Sequence, residues 1–238
     1  MTEINWHERA GAATLDVRNF INGQPIDCVG QAINKHSARD GQLLYQFGEG
    51  DQETVDKAVS SARNAFNDGR WSSLPNHQRK AILLKLADLL ETNRETFALY
   101  ECLDVGKPIT YALYDDVARA AASLRGSAEK MDQVFSPSGS DAGLFAYQQR
   151  KPVGVVGGII GWNYPLSLAA SKVGPALAMG NSLVLKPSEF TSLSAWRLAE
   201  LAIEAGVPEG VFNVVNGAGK IVGDALARHP DVDLLTFV

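Results

Sequence analysis

The chain has 238 residues, enough for one large domain or two small ones around a sizeable core. Its hydrophobic content of 45% and charged content of 21% suit a soluble globular protein, and a net charge of −5 gives no field that would gather nucleic acid. No apolar run reaches membrane-spanning length, the N-terminus MTEINWHERA lacks a secretory pattern, and Cys28 and Cys102 make neither a disulfide framework nor a metal cluster, so a cytoplasmic protein with reduced thiols and no metal is expected.

Residues 1–16 show no hydrophobic period and are expected to form a loosely held arm. Residues 17–21 followed by Asn22-Gly23 read as a strand with a tight turn. Residues 31–34 and 43–47, around Asp40-Gly41, suggest further small strands. Asp51 caps a helix whose apolar face is Val55, Ala58, Val59, Ala62 and Phe66, and Asn67-Asp68-Gly69 ends it. A second helix over about 76–92 presents Ile82, Leu83, Leu86, Leu89 and Leu90. A third runs near 94–103 and stops by Gly106-Lys107-Pro108. A fourth, about 115–135, carries Val117, Ala121, Leu124, Ala128, Met131 and Phe135 at steps of three and four. Such stripes must pack on one another or on a sheet. Residues 136–143, SPSGSDAG, are turn-rich and mark a boundary, and 144–150 look extended.

The most informative stretch is 153–189. Residues 153–160 form an apolar, β-branched run bounded by Pro152 and Trp162-Asn163-Tyr164-Pro165, the pattern of a buried strand. Pro165 opens a helix with Leu166, Ala169, Ala170, Val173 and Leu177 on one face, and Gly180-Asn181 closes it as a left-handed cap. A second buried strand, 182–186, stops at Pro187. Strand, helix and strand with almost no loop imply parallel pairing and a right-handed crossover. Asn163 and Lys186 then leave the carboxyl ends of strands, where open α/β sheets place ligands. The alternation continues with a helix at 192–205, a strand at 211–215, a helix at 220–229 and a strand over 233–238.

Lys186 and Glu189, separated by Pro187, offer a donor and an acceptor that can hold a ribose diol; an exposed strand-end ion pair is the alternative. Gly217-Ala218-Gly219-Lys220-Ile221-Val222-Gly223 opens a helix after a strand, but its spacing is not the dinucleotide fingerprint, and a plain glycine turn stays open. Asn163 has a side-chain amide that can donate to a developing oxyanion, or can be a turn residue ahead of a helix.

Trp162-Asn163-Tyr164-Pro165, Lys172-Val173-Gly174-Pro175-Ala176-Leu177-Ala178 with Gly180-Asn181, and Lys186-Pro187-Ser188-Glu189 together resemble the aldehyde dehydrogenase superfamily, and the similarity extends from about Phe20 to Val238. Gly161 departs from the proline many members have there. The resemblance implies an α/β fold with a Rossmann-like open parallel sheet of the aldehyde dehydrogenase type, incomplete in this chain. An arm over 1–16 would precede N-terminal strands and helices of the cofactor domain over 17–135. An oligomerisation hairpin over 136–152, or a plain connecting hairpin, would lead into Rossmann-like units over 153–238.

The resemblance also implies NAD as cofactor, held by Ile159, Ile160, Trp162, Lys186, Ser188, Glu189, Gly219 and Gly223, with no metal. Glu189 would take the adenosine ribose and repel a 2′-phosphate, Gly219 would lie beside the adenine, and Gly223 would allow close helix packing. Asn163 would be the oxyanion donor, Trp162 a packed aromatic of a catalytic tunnel wall, and Lys172 a supporting residue near the general base unless it is a solvated helix lysine. The implied reaction is NAD-dependent oxidation of a small-molecule aldehyde, of a kind left open, to the carboxylic acid through a cysteine nucleophile and a glutamate base. The family carries both beyond the position of Val238, so the chain is expected to lack them, to be inactive alone, and to expose a strand edge that favours self-association. A non-catalytic remnant that binds nucleotide or a subunit, and a dehydrogenase completed by a separate polypeptide, are the other readings.

Overall fold

The structure is a computed structural model that describes residues 4–27, 30–134 and 138–238. It begins with α1 (Trp6–Ala12), where Asn5 accepts the Glu8 amide at 3.2 Å. A loose arm is expected there from the sequence. A side-chain cap and the Arg9–Glu95 ion pair make a helix instead, with none of its residues buried and hence no apolar period to read.

The hairpin of β1 (Asn19–Ile21) and β2 (Gln24–Ile26) turns through Asn22 and Gly23 at φ 53° and 76°, the mirror-image turn that the Asn-Gly pair favours. A second hairpin pairs β3 (Ala32–His36) with β4 (Leu43–Gly48). Asp51 caps α2 (Gln52–Asn67) by accepting the Thr54 amide at 2.9 Å; Ala65 completes its buried face, with Phe66 only half-buried. Two helices follow, α3 (Asn76–Thr92) and α4 (Arg94–Val105), the latter ended by Gly106 at φ 84°.

The fourth expected helix begins much earlier than residue 115. It runs as α5 (Ile109–Tyr111), a π turn (Ala112–Asp116) and α6 (Val117–Lys130). The π turn slips the phase of the helix, so the apolar stripe becomes regular only after it. Phe135, like Cys28, lies outside the described residues. The turn-rich stretch pairs as a hairpin of β5 (Ser138–Asp141) and β6 (Leu144–Tyr147) around Ala142 and Gly143.

The remaining elements are β7 (Val155–Ile159), α7 (Pro165–Ala178), β8 (Ser182–Lys186), α8 (Leu193–Ala205), β9 (Phe212–Val214), a π turn (Gly219–Gly223), α9 (Asp224–Arg228) and β10 (Leu234–Phe237). Among the described residues they form a six-stranded sheet in the order β10-β7-β8-β9-β1-β2. β10 to β9 are parallel, and β1 joins antiparallel. The larger core gathers α3, α6, α7 and α8 against Val156, Ile160, Leu183 and Leu185. The smaller sets α2 and α9 against Val155 and Val184 on the other face. Alternation along each strand divides the residues between the two. β10 is an edge, with Leu234, Leu235, Phe237 and Val238 exposed.

The near absence of loops around α7 has a local cause. Gly180, at φ 81°, donates to the Leu177 carbonyl at 3.0 Å and Asn181 to that of Ala176 at 3.0 Å, a Schellman cap that reverses the chain directly into β8. The buried Asn181 side chain accepts the amides of Val153 and Gly154 at 2.8 and 3.1 Å, fixing the entry to β7. Asn181→Ala strands those donors and is expected to lower stability by about 2 kcal/mol or more in urea denaturation.

Candidate active site

Lys186 ends β8 and is only 2% exposed. Its Nζ donates to the Pro187 carbonyl at 2.8 Å and to Glu189 Oε2 at 3.2 Å. Burial pulls the ammonium's pKa down, and the Glu189 carboxylate works against that. The pair is therefore not an exposed strand-end ion pair: one member is buried and the other partly open to solvent. Ile159 is the registered neighbour of Lys186 on β7. A Cβ placed on Gly223 would meet Ile159 Cδ1 at 3.8 Å and Lys186 Cδ at 4.0 Å, whereas one on Gly219 would meet nothing within 4 Å. Ile159, Lys186, Glu189 and Gly223 thus converge at the carboxyl ends of β7 and β8, with open space over Gly219. An apolar wall, a diol-sized donor–acceptor pair and a clear glycine surface fit an adenosine.

Ile160 and Ser188, also expected here, have their side chains engaged elsewhere or in the turn itself. Ile160 packs into the larger core on the opposite sheet face, as alternation demands, and only its backbone reaches Lys186, donating to the carbonyl at 3.1 Å. Ser188 is buried and its hydroxyl accepts the Phe190 amide at 3.3 Å, so it shapes the turn that presents Glu189.

Glu49 is a residue the sequence does not reveal. Its Oε1 accepts the Ala218 amide at 2.8 Å, while Gly50 donates to the Asn216 carbonyl at 2.9 Å, so the segment before α2 clamps the turn leading to Gly219. Its charge also favours the Lys186 ammonium. The only signal is an acid next to a glycine, far away in the chain.

Asn163 is exposed at the same end of the sheet. A Cβ on Gly161 would lie 3.6 Å from Asn163 Oδ1 and 3.8 Å from the Val238 carbonyl, placing the amide at the mouth between β7 and β10. Trp162, expected to be packed, is 57% exposed, because the turn carries it past the last residue of β7. Lys172 lies apart. It is half-buried on α7, over Gly158 on the opposite sheet face, and lines a cavity of about 890 Å³ with Val156, Ser171 and Thr236.

Cys102 is a free, half-buried thiol that burial pushes up, the reverse of an activated thiolate. Among the described residues there is no cluster of three His, Cys, Asp or Glu able to hold a metal, and no helix long and apolar enough to cross a membrane.

A family model described as "Aldehyde dehydrogenase family" matches residues 27–238. Aminoacetaldehyde dehydrogenase of Pseudomonas aeruginosa is 47% identical over 100% of this chain and 49% of its own length. The NADP/NAD-dependent aldehyde dehydrogenase PuuC of Escherichia coli is 43% identical over 98% of this chain and 47% of its own. The structure of a P. syringae indole-3-acetaldehyde dehydrogenase with NAD+ and IAA superposes with a TM-score of 0.96 at 44% identity, covering 98% of this chain and 48% of that one. The chain thus spans about half the length of the curated relatives it matches.

Two carboxyls of α4 behind this end of the sheet are fully buried. Burial pushes Glu101 up from 4.5 to about 7, against its hydrogen bond from Ser194. It likewise pushes Asp104 up from 3.8 to about 7, against hydrogen bonds from Tyr45 and Leu193. Folded-state values above the unfolded ones mean a stabilising contribution at low pH that is lost as pH rises through about 7. Thermal melts are expected to show Tm falling between pH 5 and pH 8, and falling less in Glu101→Gln.

Proposed function

The chain belongs to the aldehyde dehydrogenase family, and from this premise we propose that it carries the cofactor-holding and oxyanion-binding part of an NAD-dependent oxidation of an aldehyde to its carboxylic acid. The observation that carries this reading is the convergence of Ile159, Lys186, Glu189 and Gly223 at the same end of the sheet as Asn163. Glu189 accepts the hydroxyls of the adenosine ribose and Lys186 donates to them, while the open surface over Gly219 takes the adenine. The carboxylates of Glu189 and Glu49 make this end of the site unfavourable for a 2′-phosphate, which supports NAD over NADP. Held by these residues, NAD would supply a hydride acceptor for the aldehyde carbon once a nucleophile has added to it. Asn163 donates its amide to the aldehyde oxygen as negative charge develops there, and a fixed donor of this kind is worth about 3 kcal/mol of barrier. Cys102, half-buried and with its thiol pKa raised, is not the nucleophile of this reading, and Lys172, on the other face of the sheet, takes no part in holding the ribose. The relative named for aminoacetaldehyde supports a small amino aldehyde as substrate.

The hairpin of β5 and β6 supports self-association as a second property. Leu144, Phe145 and Tyr147 are 71%, 68% and 69% exposed, an apolar set that water disfavours. Sedimentation velocity is expected to show a concentration-dependent oligomer that Phe145→Asp with Tyr147→Asp dissociates.

Calorimetric titration tests the cofactor reading. NAD is expected to bind more tightly than NADP. Lys186→Ala and Glu189→Gln are expected to weaken NAD at least tenfold, and Glu189→Gln to narrow the gap between the two nucleotides. Unchanged NAD affinity in both variants would remove the reading.

A further inference from the structure

Asn163 is exposed, so burial does not set the direction of its amide. What is held is the segment directly after it. The Tyr164 carbonyl accepts the Leu168 amide at 2.8 Å, and Lys107 Nζ sits 4.0 Å from the centre of the Tyr164 ring. The same ammonium donates to Asp116 Oδ2 at 2.7 Å and lies 3.7 Å from Glu101 Oε2. Glu101 Oε1 accepts the Leu166 amide at 3.1 Å and the Ser194 hydroxyl at 2.6 Å, and the Asp116 carbonyl accepts the Ser167 hydroxyl at 3.2 Å. Tyr164 and Leu166 are therefore tied to one ionic cluster built by α4, the loop after it and the π turn that ends at Asp116, and Ser167 to the backbone of that π turn.

The cluster is costly. Both carboxyl groups are fully buried, and Glu101 Oε2 and Asp116 Oδ1 have no hydrogen-bond partner. Apolar side chains of the same volume would hold α4, α6 and α7 together without that cost. The return on burying charge is direction, because ionic and hydrogen bonds fix orientation where apolar contacts allow sliding.

We propose that Lys107, acting with Glu101 and Asp116, is a positioning group that sets Tyr164 and the first turn of α7 and thereby presets the Asn163 amide. Its meaning for catalysis rests on the reading of Asn163 as oxyanion donor; its geometry does not. The test uses the full chain labelled with 15N, following the Asn163 side-chain amide and Trp162 indole resonances and hydrogen exchange at the Leu166 amide. Lys107→Met and Tyr164→Leu are expected to displace both resonances and to speed Leu166 exchange at least tenfold. Lys107→Arg and Tyr164→Phe, which keep the cation and the ring, are expected to restore them, with NAD affinity within twofold of wild type in all four. Asn163 resonances that stay in place in Lys107→Met and Tyr164→Leu, or that move as far in the Arg and Phe variants, overturn the proposal. If Lys107→Met does not fold, Tyr164→Leu decides, since it leaves the buried charges neutralised. Resonances that move as stated support the proposal even where wild type fails to bind NAD, a result that counts against the functional reading alone.

Discussion

An ammonium group buried at the tip of a strand is the constraint from which the rest of this structure follows. Lys186 closes β8, every residue of which is buried, and a lysine in that place is tolerable only with its charge answered at once. Pro187 supplies a carbonyl and turns the chain out of the ladder, so Glu189 can return its carboxylate to the same nitrogen. The buried strand dictates a helix on each side, and the helices dictate the parallel neighbours. The crevice is where the strand ends release their polar groups.

Division of labour between the sheet faces explains which side chains meet. On the α2 and α9 face, Ile159 and Lys186 stand beside Gly223, and the clamp from Glu49 holds the approach to Gly219. On the α7 face, Ile160 is committed to the core and Lys172 to a separate cavity. Asn163 lies on neither face but in the turn between β7 and α7, so its direction depends on what anchors that turn from behind.

What could be read from the sequence was local. Asn22-Gly23, the Asp51 cap, Pro165 at a helix start and Gly180-Asn181 at its end each act through their own backbone geometry, and each stands where the residues place it. The run from β7 to β8 was legible because strand, stripe and cap agree. What was not legible depends on partners distant in the chain. The short helix α1 has no apolar face, the early start at Ile109 is hidden by a phase slip in the π turn, and Glu49 meets Ala218 only after folding. Motif alone gives the positions of Ile160 and Trp162; that the Ile160 side chain enters the core while that of Trp162 stands exposed follows from strand alternation and from the turn, and is seen only in the fold.

The central claim is that the tip of β8 grips the adenosine sugar. A crystal structure of the chain with NAD measures this most directly. It should place both ribose hydroxyls within hydrogen-bonding distance of Glu189, at least one of them also on Lys186 Nζ, with the adenine against Gly219. Adenosine density elsewhere, for instance in the cavity beside Lys172, would contradict it.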